Sequence, residues 1–501
     1  LNSGMTQDLI DDLPYNVDPG SEGYYRYHNN TNWQEQVFEN SYEENIYLRV
    51  SGGDEVAMYG LSVGYLSRSG IIKQTNYNKY NMRFNADINV SKRLKITSNL
   101  GVTYANKNIF DDGIQDRTNP MYLSFIKSPM FSQSMIDDEG NTIPVLEDYD
   151  LLGISNPAAL IENMLGEAQN YRFLGSIGFQ IDLPKGIKLQ SLFGADFDNN
   201  SEKIFIPQNG VYPDQLPNGW AYNTSKSITD RYYSLYNDTR LNYSTTLSYS
   251  HDLSAILGFR YKTNQFENDW GVGYNTPSDD IKDMGKGSSE LRRNGGDIAG
   301  WKWMSYYITI SYAFKNKYFI NTNLSLDGSS KFGSEADGMD LHGHRFGFFP
   351  SASAAWLISS EPFLNVDLID ILKLKASYGI VGNDDIDYYG DYKYYQSTRF
   401  IGVVGFTRGN VPNPYIQWET VKKMNFGLDL AILNEKVQFS ADYFIHKTED
   451  MLTMTPVSYI SGQDYIMMND GAMENKGYEA SINVRLIESQ LKWDLGLGYS
   501  H

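Results

Sequence analysis

A period of two, returning in segment after segment, constrains this chain more than any other feature. Tyr80, Met82, Phe84, Ala86, Ile88 and Val90 alternate with Asn81, Arg83, Asn85, Asp87 and Asn89. Successive side chains of a β-strand point to opposite faces, so each set lines one side of a sheet. The same rhythm carries Ile46, Leu48 and Val50 into the turn Gly52-Gly53-Asp54, then Tyr59, Leu61, Val63 and Tyr65 out of it. After Ser91-Lys92-Arg93 it continues through Leu94, Ile96, Leu100, Val102 and Tyr104.

Further pairs follow. Segments 173–181 and 187–197 flank Pro184-Lys185-Gly186; 241–249 and 255–261 flank His251-Asp252; 306–314 and 318–326 flank Lys315-Asn316-Lys317. Segments 372–378, 426–430, 437–443, 482–486 and 491–499 complete a set of about 16 strands. Their connections alternate. Short turns lie near Gly52, Lys92, Lys185, Asp252, Asn316, Asn434 and Ser489, with a longer, helical turn expected through 359–370. Long loops are expected at 106–170, 199–231, 262–301, 327–343, 382–418 and 447–475. Short on one rim and long on the other is the layout of an outer-membrane β-barrel.

A soluble β-sandwich also alternates. Three features favour a lipid-facing wall. Many strands exceed ten residues, matching a tilted bilayer crossing. Tyr65, Tyr80, Tyr104, Tyr249 and Tyr261 sit near strand ends, as an interfacial girdle requires. The polar face carries Asn, Arg, Asp, Lys, Gly and Ser in hairpin after hairpin, as a wet lumen allows. In hydrocarbon every backbone N–H and C=O needs an internal partner, and closure removes the edges.

Composition narrows the rest. The chain has 501 residues and a net charge of −19, which argues against a nucleic-acid partner. No run approaches the ~18 apolar residues of a spanning helix. Cys is absent, which removes disulfides, thiol catalysis and zinc-finger sites. The chain opens on Leu1 without a basic, then apolar leader, and 491–501 reads as a strand that stops; it is read as an internal piece of a longer polypeptide.

Catalytic chemistry is not legible, and no enzyme is expected. Of six His, only His342-Gly343-His344 form a close pair, on a loop edge without further ligands. Asp137-Asp138-Glu139-Gly140-Asn141 and Asp196/Asp198/Asn199 resemble oxygen-rich Ca²⁺ loops but lack the EF-hand spacing, and solvated turns are the favoured reading. No cofactor is expected, with Ca²⁺ in the outer loops left open. Asp279-Asp280 and Asp384-Asp385 read as loop charges. Aromatic residues assigned to outer loops are the candidate substrate contacts: Trp220, Tyr222, Trp270, Tyr274, Tyr388, Tyr389, Tyr392 and Tyr394. Aromatic faces stack on sugar rings and pack on peptides, and equally form loop cores.

Specific segments carry a family resemblance. They are Thr31-Asn32-Trp33-Gln34, Ser51-Gly52-Gly53, Gly64-Tyr65-Leu66, Leu326-Asp327-Gly328-Ser329-Ser330-Lys331-Phe332-Gly333 and Phe349-Pro350-Ser351. Gly382-Asn383, Asn413-Pro414, Trp418-Glu419-Thr420, Asn425, Gly427-Leu428-Asp429 and Asn475-Lys476-Gly477-Tyr478-Glu479 follow in order. Together they resemble the middle of a SusC/RagA-type TonB-dependent outer-membrane transporter of Bacteroidota. The resemblance implies an all-β transmembrane antiparallel barrel of 22 strands, about 16 of them here. It divides the chain into residues 1–43, leading from a plug region into the barrel, and residues 44–501, an incomplete barrel. Turn chemistry explains Asp327-Gly328-Ser329-Ser330, and interface anchoring is expected of Trp418.

The resemblance further implies import of an oligosaccharide or peptide nutrient through the cell outer membrane. A SusD-like surface lipoprotein would cap the long-loop rim, TonB would pull on a plug from the periplasm, and outer-membrane lipid would surround the wall. A SusC-like barrel serving as a structural subunit of an envelope assembly or secretion complex, with other envelope proteins as partners, is the alternative. A third reading is a plain porin closed by these strands alone.

Overall fold

The computed structural model describes residue 19 and residues 24–501, save 111–114, 249, 342, 365, 387, 389, 391, 401, 402 and 490. Tyr249, His342 and Tyr389 therefore lie outside the described residues. Sixteen long strands and the three-residue strand Met339–Leu341 form one 17-stranded sheet. In chain order the long strands are β1 (Glu43–Gly53), β2 (Ala57–Ser69), β3 (Asn76–Asn89), β4 (Leu94–Asn108), β5 (Leu165–Leu183), β6 (Ile187–Ile206), β7 (Thr224–Leu247) and β8 (His251–Tyr274). They continue with β9 (Arg293–Phe314), β10 (Tyr318–Ser329), β11 (His344–Leu357), β12 (Ile369–Asn383), β13 (Glu419–Ile432), β14 (Val437–Pro456), β15 (Tyr465–Glu488) and β16 (Lys492–Ser500).

Each long strand pairs antiparallel with the next in the chain, from β1 to β16. The pattern is an up-and-down wall without crossovers. No pairing joins β1 to β16 among the described residues, so the wall is an arc with two free edges. Short turns at 54–56, 90–93, 184–186, 248–250, 315–317, 433–436 and 489–491 lie on one rim, with 358–368 beside them. Among its described residues that last turn contains one 3-10 turn, Ile358–Ser360.

The apolar set of each strand faces outward. The register places Tyr65 opposite Tyr80, Tyr80 opposite Tyr104, and Tyr104 opposite Tyr171. Their ring centroids follow at 5.0, 6.2 and 4.6 Å, one continuous aromatic row over four strands. A second row follows the short-turn rim through Phe314, Tyr318, Trp356 and Phe363. On β4, Leu94 and Tyr104 are ten residues apart. At ~3.3 Å per residue and a tilt of about 40° this is about 25 Å along the barrel axis, the height of a membrane-facing apolar band. Phe193, Leu235, Leu257 and Leu497 are more than half exposed on this face. Hydrocarbon accepts them without the transfer cost that water would exact.

Polar groups in the band are satisfied locally. Outward-facing Ser191 and Thr239 share a 2.7 Å hydrogen bond, and Asn237 donates to the Leu192 carbonyl at 3.1 Å. This is the condition for polar atoms at membrane depth.

The long strands run further than the alternation indicates. β7 and β8 each have 24 residues, about 80 Å of backbone. The loops expected at 199–231, 262–301 and 447–475 are therefore largely ladder: β6 ends at Ile206, β7 starts at Thr224, β8 ends at Tyr274 and β15 starts at Tyr465. Above the membrane both faces are wet, so hydrogen-bonded strands such as Thr229-Asp230-Arg231 continue without any apolar alternation.

Candidate functional site

The lumen face and the long-loop rim carry charged and aromatic side chains of this wall. The inner face of the wall is polar and charged. On β5 and β6, Arg172 donates to Asp196 at 2.9 Å, with Asp198 at 3.9 Å. Around β7–β9, the Tyr307 hydroxyl donates to Asp238 at 2.8 Å, and the Arg260 guanidinium lies 4.3 Å from the Tyr307 ring centroid. On β12–β14, Lys375 bridges Asp429 (3.0 Å) and Asp442 (3.2 Å). Alternation puts these groups on the face opposite the apolar stripe, so their placement follows from the sequence pattern.

The loop joining β4 to β5 folds over the rim against the top of β6 and the segment after it. Leu123, Leu160, Met164, Ile204, Ile206 and Val211 bury together. Two helices build it, Pro120–Ile126 and Pro157–Asn163, each opened by an Asn-Pro step. The Tyr122 and Ala158 amides each donate to the preceding Asn side chain at 3.0 Å, while Pro at the first helical position gives up no bond. Beneath them Lys127 donates to Asp150 and to the Ile154 carbonyl, both at 2.9 Å. Both charged side chains are 1% exposed. Burial lowers the Lys127 ammonium from its usual range, opposed by Asp150. The ammonium also lies 5.5 Å from the Trp33 ring, and the Trp33 indole donates to the Ser128 carbonyl at 3.0 Å. The segment entering β1 is thus seated on this rim. The Asp137 carboxylate of the same loop is held below its usual range, chiefly by the Asn141 backbone N–H. Among the described residues no group of three or more His, Cys, Asp or Glu could hold a metal ion.

A second rim core gathers Phe332, Ala336, Phe349, Ile386, Ile416 and Trp418. Phe332 and Phe349 lie 4.6 and 5.2 Å from Trp418, centroid to centroid. Trp418 is 7% exposed, which corrects its expected place at the bilayer interface: the loops from both sides close over the indole before lipid can reach it. Gly333 and Glu335 donate backbone bonds to Ile416 and Pro414, each at 2.9 Å. A Cβ on Gly333 would stand 2.0 Å from the Pro414 carbonyl oxygen, so only glycine fits.

The aromatic candidates separate into distinct settings. Asn275 donates to the Trp220 carbonyl (2.8 Å) and accepts from the Tyr222 amide (2.7 Å), which draws these two beside Tyr274. Trp220 and Tyr222 lie on or beside the small hairpin Asp214–Leu216/Gly219–Ala221 and stay exposed; Tyr274 is nearly buried. Trp270 and Tyr274 belong to β8 and not to a loop, a correction with the cause given above. Trp270 faces the same side as Lys262, and its indole occupies space left by Gly295, where a Cβ would come within 2.7 Å. Tyr388 is exposed beside a buried cation: the Lys331 ammonium lies 5.4 Å from its ring and 5.1 Å from Trp301, and donates to the Asp384 carbonyl at 3.1 Å. Tyr392 and Tyr394 precede the projecting hairpin Tyr395–Phe400/Val403–Arg408. Among the described residues these rings form no single cluster. Lys262, Trp301 and Lys331 escaped the sequence reading because their convergence depends on register across β8–β10. Lys331 lay inside a motif read as turn chemistry, which was the available signal.

Comparison with known proteins follows this architecture. The sequence model described as TonB dependent receptor-like, beta-barrel matches residues 8–501. TonB-dependent receptor P39 of Formosa agariphila is 26% identical over 481 residues, spanning 93% of this chain and 43% of the relative. TonB-dependent receptor SusC of Bacteroides thetaiotaomicron is 24% identical over 501 residues, 93% of this chain and 47% of the relative. The chain thus spans just under half the length of these relatives. Among solved structures, the RagAB peptide transporter superposes with a TM-score of 0.77 at 22% identity, over 98% of this chain and 54% of that one. The siderophore receptor PirA of Acinetobacter baumannii gives 0.52 at 12% identity, over 93% and 60%.

Proposed function

For a chain that belongs to the TonB dependent receptor-like β-barrel family, we propose the wall of an outer-membrane active transporter that imports oligosaccharide or peptide nutrients. One observation carries the reading: the wall is apolar toward lipid, charged toward its bore, and roofed by folded loops on one rim only. A polar bore gives a hydrophilic solute a path, and the roofed rim gives it a selective entrance. The SusC relative and the fold shared with the RagAB peptide transporter support this direction. In this reading residues 44–501 are the wall and residues 1–43 lead into it. A plug elsewhere in the protein, pulled from the periplasm by TonB as a separate partner, supplies the energy coupling in this reading.

A SusD-like lipoprotein lid is part of the proposal. Phe406 is 77% exposed and Ile460 96% exposed at the long-loop rim. Gln463 donates to the Arg408 carbonyl at 2.6 Å and ties their two loops together. Adjacent exposed apolar tips favour a protein partner. Trp220, Tyr222, Trp270, Tyr274, Tyr388, Tyr389, Tyr392 and Tyr394 are proposed as rim contacts for solute along its entry.

The test is deletion of the full-length gene, followed by growth and uptake on defined glycans and peptides, with affinity purification from the native membrane. A growth defect on one nutrient and a single co-purifying lipoprotein support import. Unimpaired uptake together with a multi-barrel assembly would mark a structural subunit instead.

A further inference from the structure

The inner wall below the Tyr65–Tyr80–Tyr104–Tyr171 row holds a recess of about 1060 Å³ across β1–β8. Its lining inverts the charge of the chain. Lys79, Arg83, Arg172 and Lys262 face it against the single carboxylate of Asp196, in a protein with 42 basic and 61 acidic residues. Arg172 leans on Asp196, and Lys262 lies 5.4 Å from the Trp301 ring. Lys79 and Arg83 make no ion pair among the described residues, and Arg83 is exposed to the bore. They share one face of β3 four residues apart, about 13 Å along the strand. Asn81, Asn85 and Asn99 offer amides around them.

Exposed cations with no partner within this wall contribute little to its folding. A concave, low-dielectric wall focuses their field into the bore and raises the local concentration of anions. Their spacing suits successive charges on an extended chain better than one compact anion. We infer that this recess receives the negative groups of an anionic oligomer in transit, a chain bearing repeated carboxylates such as an acidic sugar polymer or acidic peptide. The inference rests on the transporter reading and narrows its substrate class.

The test uses the full-length protein with its native plug, in membranes and in whole cells. Probes are short oligogalacturonate and oligoglutamate, with malto-oligosaccharide and oligoglycine as uncharged counterparts; whichever anionic probe binds identifies the backbone carrying the charge. At low salt the anionic probe binds at least about tenfold more tightly than its uncharged counterpart, an advantage of ~1.4 kcal/mol. Lys79→Gln/Arg83→Gln removes that advantage, high salt removes it likewise, and Lys476→Gln on the outer wall leaves it intact. Heat-modifiable gel mobility confirms that the double variant is folded. Equal binding of charged and uncharged probes overturns the inference and leaves the transporter reading standing. So does a double variant that loses both kinds equally or releases its plug, since the cations then serve the plug. Failure of every probe to bind or enter overturns this inference, while the transporter reading falls only if deletion of the gene also leaves nutrient uptake unimpaired.

Discussion

Substituting Phe84 by Arg tests the physical basis of the fold. Phe84 faces outward on β3, four residues below Tyr80 in the upper aromatic row. At ~3.3 Å per residue and a tilt of about 40°, it lies about 10 Å below that row, near the middle of a band about 25 Å high. An arginine at the lipid-facing midplane of a barrel costs about 2–4 kcal/mol, falling to ~0–1 near the interfaces. The adjacent Asn85 points into the lumen, where water and amides receive a guanidinium. Phe84→Arg is therefore expected to destabilise by about 3 kcal/mol, and Asn85→Arg by under about 0.5 kcal/mol. The assay is reversible folding of the full-length protein into phospholipid vesicles, titrated with denaturant and read by tryptophan fluorescence and gel mobility. A cost below about 1 kcal/mol for Phe84→Arg, or equal costs for the two variants, would refute the assignment of faces.

Three further expectations follow from the rim and the upper wall. Lys127→Ala leaves Asp150 buried without its partner and should destabilise the β4–β5 loop by about 3–5 kcal/mol; hydrogen exchange across 109–164 should rise while the membrane strands stay protected. Gly333→Val drives a side chain into the Pro414 carbonyl and should expose 384–418 to limited proteolysis, with protein level maintained because the wall is untouched. Glu449 stands above the membrane band between Lys422 and Lys447, which hold its carboxyl down to about 2 from 4.5. Its folded value is depressed, so its contribution is present above pH 4.5 and is lost as pH falls toward 2. Exchange at the tops of β13 and β14 should increase through that window, and Glu449→Gln should abolish the pH dependence.

Much of the wall was legible because lipid and lumen impose opposite demands on neighbouring residues. Segment 80–90 declares its two faces without help, and Tyr65, Tyr80 and Tyr104, each four residues inside its strand end, mark where the aromatic row runs. Where both faces are wet, that contrast vanishes. Trp270 and Tyr274 consequently read as loop residues although they continue β8. The helices at Pro120 and Pro157 were hidden for another reason: each is seven residues long and is held by loop packing more than by its own periodicity.

Strand identity, facing and the order of turns are local properties, encoded by alternation and by Gly, Asn and Pro at the reversals; the sequence by itself determined them. Which distant residues meet was decided only by the tertiary structure. Lys331-Phe332-Gly333 and Asn413-Pro414 are 80 residues apart and belong to separate motifs, yet they close together over Trp418. Likewise Lys79, Arg83, Arg172 and Lys262 gather around one recess only because β3, β5 and β8 curve toward a common bore. A period of two fixes a side chain's direction, whereas its neighbours depend on the curvature and register of the whole sheet.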